Sequence, residues 1–146
     1  MIIGIGTDVV QIPRITRLLK TYGRRFIERI FTPEEQKAGQ VLQGKACDAY
    51  YAKRFAGKEA MVKALGIGFR EGITYRDIEV MNFKSGQPKI SVRAQAKKRL
   101  EKITPNGMVP HIAVTITDDY PIAQAFVIIS AVQRNKKIKE DSCGKK

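Results

Sequence analysis

The sequence predicts an α+β fold, a compact antiparallel sheet packed with a long central helix, on three observations. Two apolar runs, 109–117 and 122–132, flank Asp118-Asp119-Tyr120-Pro121 and form a hairpin at the centre of the core. An opening run from Met1 to Val10 alternates Ile3 and Ile5 with Gly4 and Gly6, the period-two pattern of a strand. Between these lies a stretch from about Ala46 to Leu65 rich in alanines and long straight side chains. It reads as one helix, with Gly66 where a left-handed cap belongs.

The remaining elements follow from local signals. Gly6 is expected either to bend the first strand so that Asp8 emerges at a cleft or to mark a bulge. Pro13, at a first helical position, opens a helix that runs to Tyr22 and is closed by Gly23. Ile15, Leu18 and Leu19 form its buried stripe, and Arg14 and Arg17 share the exposed side. The basic segment from Gly23 to Phe31 has apolar residues interleaved, which fits a short solvated helix or a nucleic-acid patch. Thr32-Pro33-Glu34-Glu35 is a helix start, with Thr32 as cap, Pro33 in the first turn and Glu35 completing a capping box. Gln36 to Lys45 reads as partly irregular because of Gly39 and Gly44.

After the long helix, the glycine-rich loop from Gly66 to Gly72 lacks the Lys-Ser/Thr ending of a P-loop and follows a helix, not a strand. Asp77–Phe83 alternates as a strand, Ser85-Gly86-Gln87-Pro88 turns, and Lys89–Val92 returns. Arg93–Ile103 is a basic amphipathic helix with Ala94, Leu100 and Ile103 as apolar members and Lys97, Lys98 and Arg99 as a solvated or ligand-facing run. Asp118 and Asp119 are expected to form the hairpin turn. His111 sits on the strand preceding it as a packed strand residue or a ligand contact. One domain, residues 1–132, is followed by a basic tail, residues 133–146, expected to be disordered.

Composition narrows the function. The formal charge of +13 and a pI near 10 imply a polyanionic partner, which nucleic acid, a phosphate-rich cofactor or an acidic protein would each satisfy. From Arg134 onward the tail carries six basic and two acidic residues, so the folded part is less extreme than the total. Cys47 and Cys143 are the only cysteines, against both a structural disulfide and a cysteine metal site. His111 is the only histidine, and no G-x-S-x-G elbow accompanies it. No apolar run is long enough to span a bilayer, and the first residues lack the pattern of a secretory signal, so a cytoplasmic protein without a membrane partner is expected.

Chemistry concentrates in Arg54-Phe55-Ala56-Gly57-Lys58-Glu59-Ala60-Met61-Val62-Lys63-Ala64-Leu65-Gly66. Glu59 and Lys63, four apart, share a face; Arg54 and Lys58 make a second four-spaced row. Gly57 inside a helix is unfavourable by about 1 kcal/mol relative to alanine and suggests a close neighbour. A surface helix with solvated charges accounts for this row by itself. Asp8 adds a second carboxylate at the end of a glycine-bearing strand, and Mg²⁺ is typically held by one or two carboxylates together with substrate phosphates.

Gly6-Thr7-Asp8, followed by Phe55-Ala56-Gly57-Lys58-Glu59-Ala60-x-x-Lys63-Ala64, resembles the 4′-phosphopantetheinyl transferases. The opening Gly4-Ile5-Gly6-Thr7-Asp8-Val9-Val10 and the length are similar to the short bacterial type, and the resemblance runs from about Met1 to Ser130. It implies transfer of the 4′-phosphopantetheine arm of coenzyme A to a serine of apo-acyl carrier protein, in support of fatty acid biosynthesis. Asp8 and Glu59 would hold Mg²⁺, with Mn²⁺ suiting the same ligands; Lys63 would neutralise developing phosphate charge; and Glu59 or a water would accept the serine proton. Arg54, Lys58, Lys63, Gly66 and His111 would meet coenzyme A. Arg14, Arg25 and Arg29 would dock the acidic carrier protein. A homotrimer with each site between two subunits is also implied. Two positions depart from the family pattern. Gln87 lacks the lysine common at that turn, and Ile116 stands where many relatives carry a histidine or an acid. The rival from another class is a small basic nucleic-acid-binding module, which leaves Asp8 and the Glu59–Lys63 pair without a task.

Overall fold

The computed structural model describes residues 1–135, so the expected disorder of the tail falls largely outside the described residues. Strand β1 (Ile2–Gln11) leads into helices α1 (Ile12–Tyr22), α2 (Arg24–Ile30), α3 (Pro33–Gly39) and the long α4 (Gly44–Leu65). A 3-10 turn over Tyr75–Asp77 precedes β2 (Ile78–Asn82) and β3 (Pro88–Val92); α5 (Ala94–Ile103), β4 (Met108–Asp119) and β5 (Ile122–Gln133) complete the chain. The main sheet is antiparallel in the order β1-β5-β4, and β2 and β3 form a separate hairpin. The predicted α+β architecture is therefore the one observed, with β5 as the central strand.

Helix α4 lies on one face of this sheet. Along β5 every second residue, Ala123, Ala125, Val127, Ile129 and Ala131, is buried beneath the helix. Facing them, Ala56, Ala60, Met61, Ala64 and Leu65 are buried on α4. Small residues bring the two layers close, and each fully buried Val, Leu or Ile contributes about 1.5–3 kcal/mol. The closest approach explains the glycines of β1. A Cβ on Gly6 would stand 2.0 Å from the Ala60 carbonyl oxygen, and one on Gly4 would stand 2.3 Å from that of Ala64. Gly6 thus admits the helix backbone, where the sequence had suggested a bend or bulge. The one register shift in the β1–β5 ladder lies between Ile2 and Gly4. Gly57 has a related task, since its missing Cβ would be 3.0 Å from a Val80 methyl and 3.4 Å from Ile116 Cδ1.

Several local expectations need correction. Asp118 and Asp119 belong to β4, opposite Ala123 and Ile122, and leave the turn to Tyr120 and Pro121. Asp118 meets Lys53 at 3.4 Å. Asp77 ends the 3-10 turn and starts no strand: its side chain accepts from Thr74 Oγ1 at 3.0 Å and from the amide of Ala96 in the first turn of α5 at 3.3 Å. Ala94 is exposed at φ +49°, and Ala96 supplies the buried alanine of α5. The segment 24–30 is helical, one of the two alternatives expected for it. Of 36–45, expected to be partly irregular, only 40–43 lie outside α3 and α4, and Gly39 packs against the Tyr51 ring.

Candidate functional site

The register of the sheet fixes where Asp8 points. Asp8 lies opposite Ala125, as does Ile116 on the other side, so the three form one cross-strand row. Residues directly opposite in an antiparallel ladder share a face, and Ala125 faces α4. Asp8 therefore leans toward the helix, where the ammonium of Lys63 meets its Oδ1 at 3.0 Å. The pair sits at a rim, with Asp8 15% and Lys63 55% exposed. One turn earlier on the same side of α4, Glu59 Oε1 accepts a hydrogen bond from the Tyr75 hydroxyl at 2.6 Å. Burial first, then the bond to and the charge of Glu59, push the Tyr75 phenol well above its ordinary pKa; Arg14 works against this and Asp8 with it. Asp8, Glu59, Lys63, Tyr75 and Arg14 thus share one electrostatic neighbourhood.

Within the described residues, no hydrogen bond or ion pair reaches Asp8 Oδ2 or Glu59 Oε2. Nor does any cluster of three or more His, Cys, Asp or Glu residues form a metal site there. Two carboxylates, each with an oxygen to spare, are the hard donor set that suits Mg²⁺ or Mn²⁺ completed by substrate phosphate oxygens.

The second charged row of α4 behaves differently. Lys58 is wholly buried, its ammonium 2.7 Å from Glu35 Oε1 and donating to the Tyr75 carbonyl at 3.0 Å and to the Ile78 carbonyl. Desolvation lowers its pKa, opposed chiefly by Glu35. The expected Lys58 phosphate contact is therefore withdrawn, because an enclosed ammonium with three oxygen partners has none left for a ligand. Glu35 also closes the predicted capping box through the Thr32 amide at 2.8 Å and accepts from Val80 N at 2.8 Å. The box was legible in the sequence; the buried ion pair was not.

Arg54 packs its guanidinium over the Tyr50 ring at 4.5 Å and is nearly buried, with Nε lacking any partner among the described residues. Nine residues separate it from Lys63, which at 3.6 residues per turn puts the two on opposite sides of the helix. Gly66 caps α4 at φ +84° and is exposed. His111 lies opposite Ser130, five residues along β4 from the row of Asp8, about 17 Å at the antiparallel rise of about 3.4 Å per residue. Within one chain, then, the structure gathers Asp8, Glu59 and Lys63 but leaves Arg54 and His111 apart from them. Ile116, on the Asp8 row, packs toward Gly57 and carries no polar function.

Beside the site, Arg25 and Arg29 rim a cleft of about 460 Å³ whose apolar wall includes Leu18, Phe26, Ile30 and Tyr75. Arg14 reaches over the Phe55 ring at 5.8 Å. Tyr75 stands at this junction and escaped the sequence reading. The available signal was Thr74-x-x-Asp77, which repeats the spacing of Thr32-x-x-Glu35 and marks a capped turn ahead of β2.

Residues 4–125 match the family described as the 4′-phosphopantetheinyl transferase superfamily. A holo-[acyl-carrier-protein] synthase of Rhodopseudomonas palustris (strain BisB5) is 48% identical over 134 residues, covering 90% of this chain and 96% of that one. Among solved structures, the holo-[acyl-carrier-protein] synthase of Neisseria meningitidis superposes with a TM-score of 0.77 at 36% identity, covering 89% of this chain and 99% of that one. The Bacillus anthracis enzyme, solved in complex with CoA (3′,5′-ADP), gives 0.71 at 31% identity over 88% of this chain and 96% of that one. The sheet and the long helix thus coincide with the folds of these relatives, and the chain belongs to the 4′-phosphopantetheinyl transferase superfamily, among its holo-[acyl-carrier-protein] synthases.

Proposed function

We propose that this protein transfers the 4′-phosphopantetheine arm of coenzyme A to a serine of apo-acyl carrier protein. The observation that carries the reading is the convergence of Asp8 and Lys63, from β1 and α4, beside Glu59. The serine oxygen attacks the β-phosphorus of coenzyme A, the diphosphate bridge breaks, and adenosine 3′,5′-bisphosphate leaves. Asp8 and Glu59 would hold Mg²⁺ or Mn²⁺ through their free oxygens, and the ion would offset the charge of the diphosphate. Lys63, released from Asp8, neutralises charge on the transferring phosphoryl oxygens. Glu59, or a water beside it, accepts the serine proton. Arg25 and Arg29, with Arg14 near by, present positive charge around an apolar cleft, which suits an acidic carrier protein. Nothing in the family or these relatives supports the nucleic-acid alternative.

The same reading includes a homotrimer. The sheet face away from α4 carries Ile2, Ile5, Val9 and Val132, each about half exposed or more, with Phe126 and Ile128 between them. A contiguous apolar surface of this kind is normally covered. Arg54, turned away from Lys63 with an unpartnered Nε, then serves the 3′-phosphate at a neighbouring subunit's site, together with His111 and the exposed backbone of Gly66. Both substrates are soluble cell metabolites or proteins, which supports a cytoplasmic enzyme acting in fatty acid biosynthesis.

The test is mass spectrometry of apo-acyl carrier protein incubated with the enzyme, coenzyme A and Mg²⁺. A gain of about 340 Da, lost when chelator is added, is expected from the size of the arm and a divalent-ion requirement. Absence of any gain with several carrier proteins would overturn the reading. Asp8→Ala and Glu59→Ala are each expected to abolish transfer with the circular-dichroism spectrum unchanged.

A further inference from the structure

Tyr75 occupies a position with more constraints than a loop tyrosine needs. Its ring stacks on Phe55 with centroids 5.5 Å apart and lies against Phe69 at 4.0 Å. Its carbonyl oxygen accepts from the buried Lys58 ammonium, itself locked by Glu35. The Thr74–Asp77 box closes the turn that carries it, and Asp77 ties that turn to α5. With ring and backbone both fixed, the hydroxyl has one place to donate, Glu59 Oε1 at 2.6 Å. That length belongs to a charge-assisted O–H···O⁻ bond.

We infer that Tyr75 is a positioning residue for Glu59: its hydroxyl pins one carboxylate oxygen and so presents the other toward Asp8. The inference rests on the proposed metal-binding role of the two carboxylates. Without the tyrosine donor, Glu59 is free to swing along the helix toward Lys63, four residues on, where i,i+4 pairing competes with ligation. The buried Lys58–Glu35 pair then has a functional consequence without touching substrate, since it holds the turn from which Tyr75 acts. A purely packing role for Tyr75 would reside in the ring, and Tyr75→Phe keeps the ring while removing only the hydroxyl.

The test is Mn²⁺ titration, followed by electron paramagnetic resonance, of the enzyme saturated with coenzyme A. Tyr75→Phe is expected to weaken Mn²⁺ binding about tenfold, the usual effect of removing a group that orients a metal ligand. Its thermal midpoint should fall by no more than about 5 °C, kcat should fall, and the KM for carrier protein should stay unchanged. On a Glu59→Gln background, adding Tyr75→Phe should weaken Mn²⁺ no further, because the two act through one oxygen pair. Parental Mn²⁺ affinity in Tyr75→Phe, alongside lost affinity in Glu59→Gln, would overturn the positioning role and leave the metal site standing. A full further loss on the Glu59→Gln background would also overturn it. Parental affinity in both Asp8→Asn and Glu59→Gln would instead remove the metal reading, and this inference with it.

Discussion

Lys58 and Lys63 stand five residues apart on α4 and do opposite things. Lys58 is sealed in the core against Glu35, whereas Lys63 is more than half exposed at the rim. Removing one partner of a buried ion pair strands the other charge, at a cost of about 3–5 kcal/mol. Lys58→Ala is therefore expected to lower stability by roughly that amount in urea titration. Lys63→Ala gives up only a partly solvated pair with Asp8, worth about 0.5 kcal/mol. It should leave the urea midpoint nearly unchanged while abolishing transfer. A Lys58→Ala protein as stable as its parent would show that the Glu35 pair is not enclosed in solution. The contrast also shows how far residues can be read in a sequence. Thr32 and Glu35 announce their capping box because the partners lie three apart and local geometry suffices. Lys58 and Glu35 are joined only by the folding of α4 over α3, and a lysine in a four-spaced charged row looks the same whether it faces ligand, solvent or core. Asp8 and the charged row of α4 suggested a cation site by residue type, but their direct Asp8–Lys63 contact, across 55 residues, comes only from the fold.

Among the elements, the contact of β1 with α4 sets the geometry of the rim. Gly6 lies two residues before Asp8, and a methyl there would run into helix backbone, the Ala60 carbonyl, which has nowhere to go. Gly6→Ala should cost about 3 kcal/mol by forcing the layers apart. It should also depress transfer, because Asp8 moves away from Lys63. Gly57→Ala makes a useful contrast, since its neighbours are side-chain methyls of Val80 and Ile116 that can shift. Alanine also gains about 1 kcal/mol of helix propensity there, so the net change should stay within about 1 kcal/mol of zero. Equal losses at both positions by thermal unfolding would contradict this account. The sequence marked both glycines, yet period-two alternation carries no information on what lies above a strand, so the reason for Gly6 emerged only from the packing. Ala94 departs from its expected place for a related reason: helical spacing predicts an apolar stripe beginning there, but the chain enters α5 with φ +49° at that residue. Glycine adopts this conformation without a Cβ clash, and Ala94 is exposed. Ala94→Gly is expected to raise stability by about 0.5–1 kcal/mol, the reverse of the usual effect of glycine near a helix.

At the scale of the molecule, one face of the sheet is filled and the other is bare. Beneath α4, β5 buries a continuous row of alanine, valine and isoleucine. On the far side Ile5 aligns with Ile128, which aligns with Ala113, and Ile5 is 59% exposed. Two further features are consistent with a second chain if the proposed reaction is right. Arg54 points away from its own Lys63, and His111 lies several residues along the sheet from Asp8. Association through the bare face would bury the apolar rows and put His111, which lies on that face opposite Ser130, at the seam. Light scattering of the wild-type protein should then give three times the chain mass of 16.4 kDa. Ile5→Glu places a charge in the middle of that face, where burial without a partner is unfavourable by several kcal/mol. It should yield a folded monomer with native circular dichroism and little transfer activity. A wild-type protein that runs as a single chain while transferring at full rate would separate the catalytic reading from the trimer and leave Arg54 without its proposed phosphate.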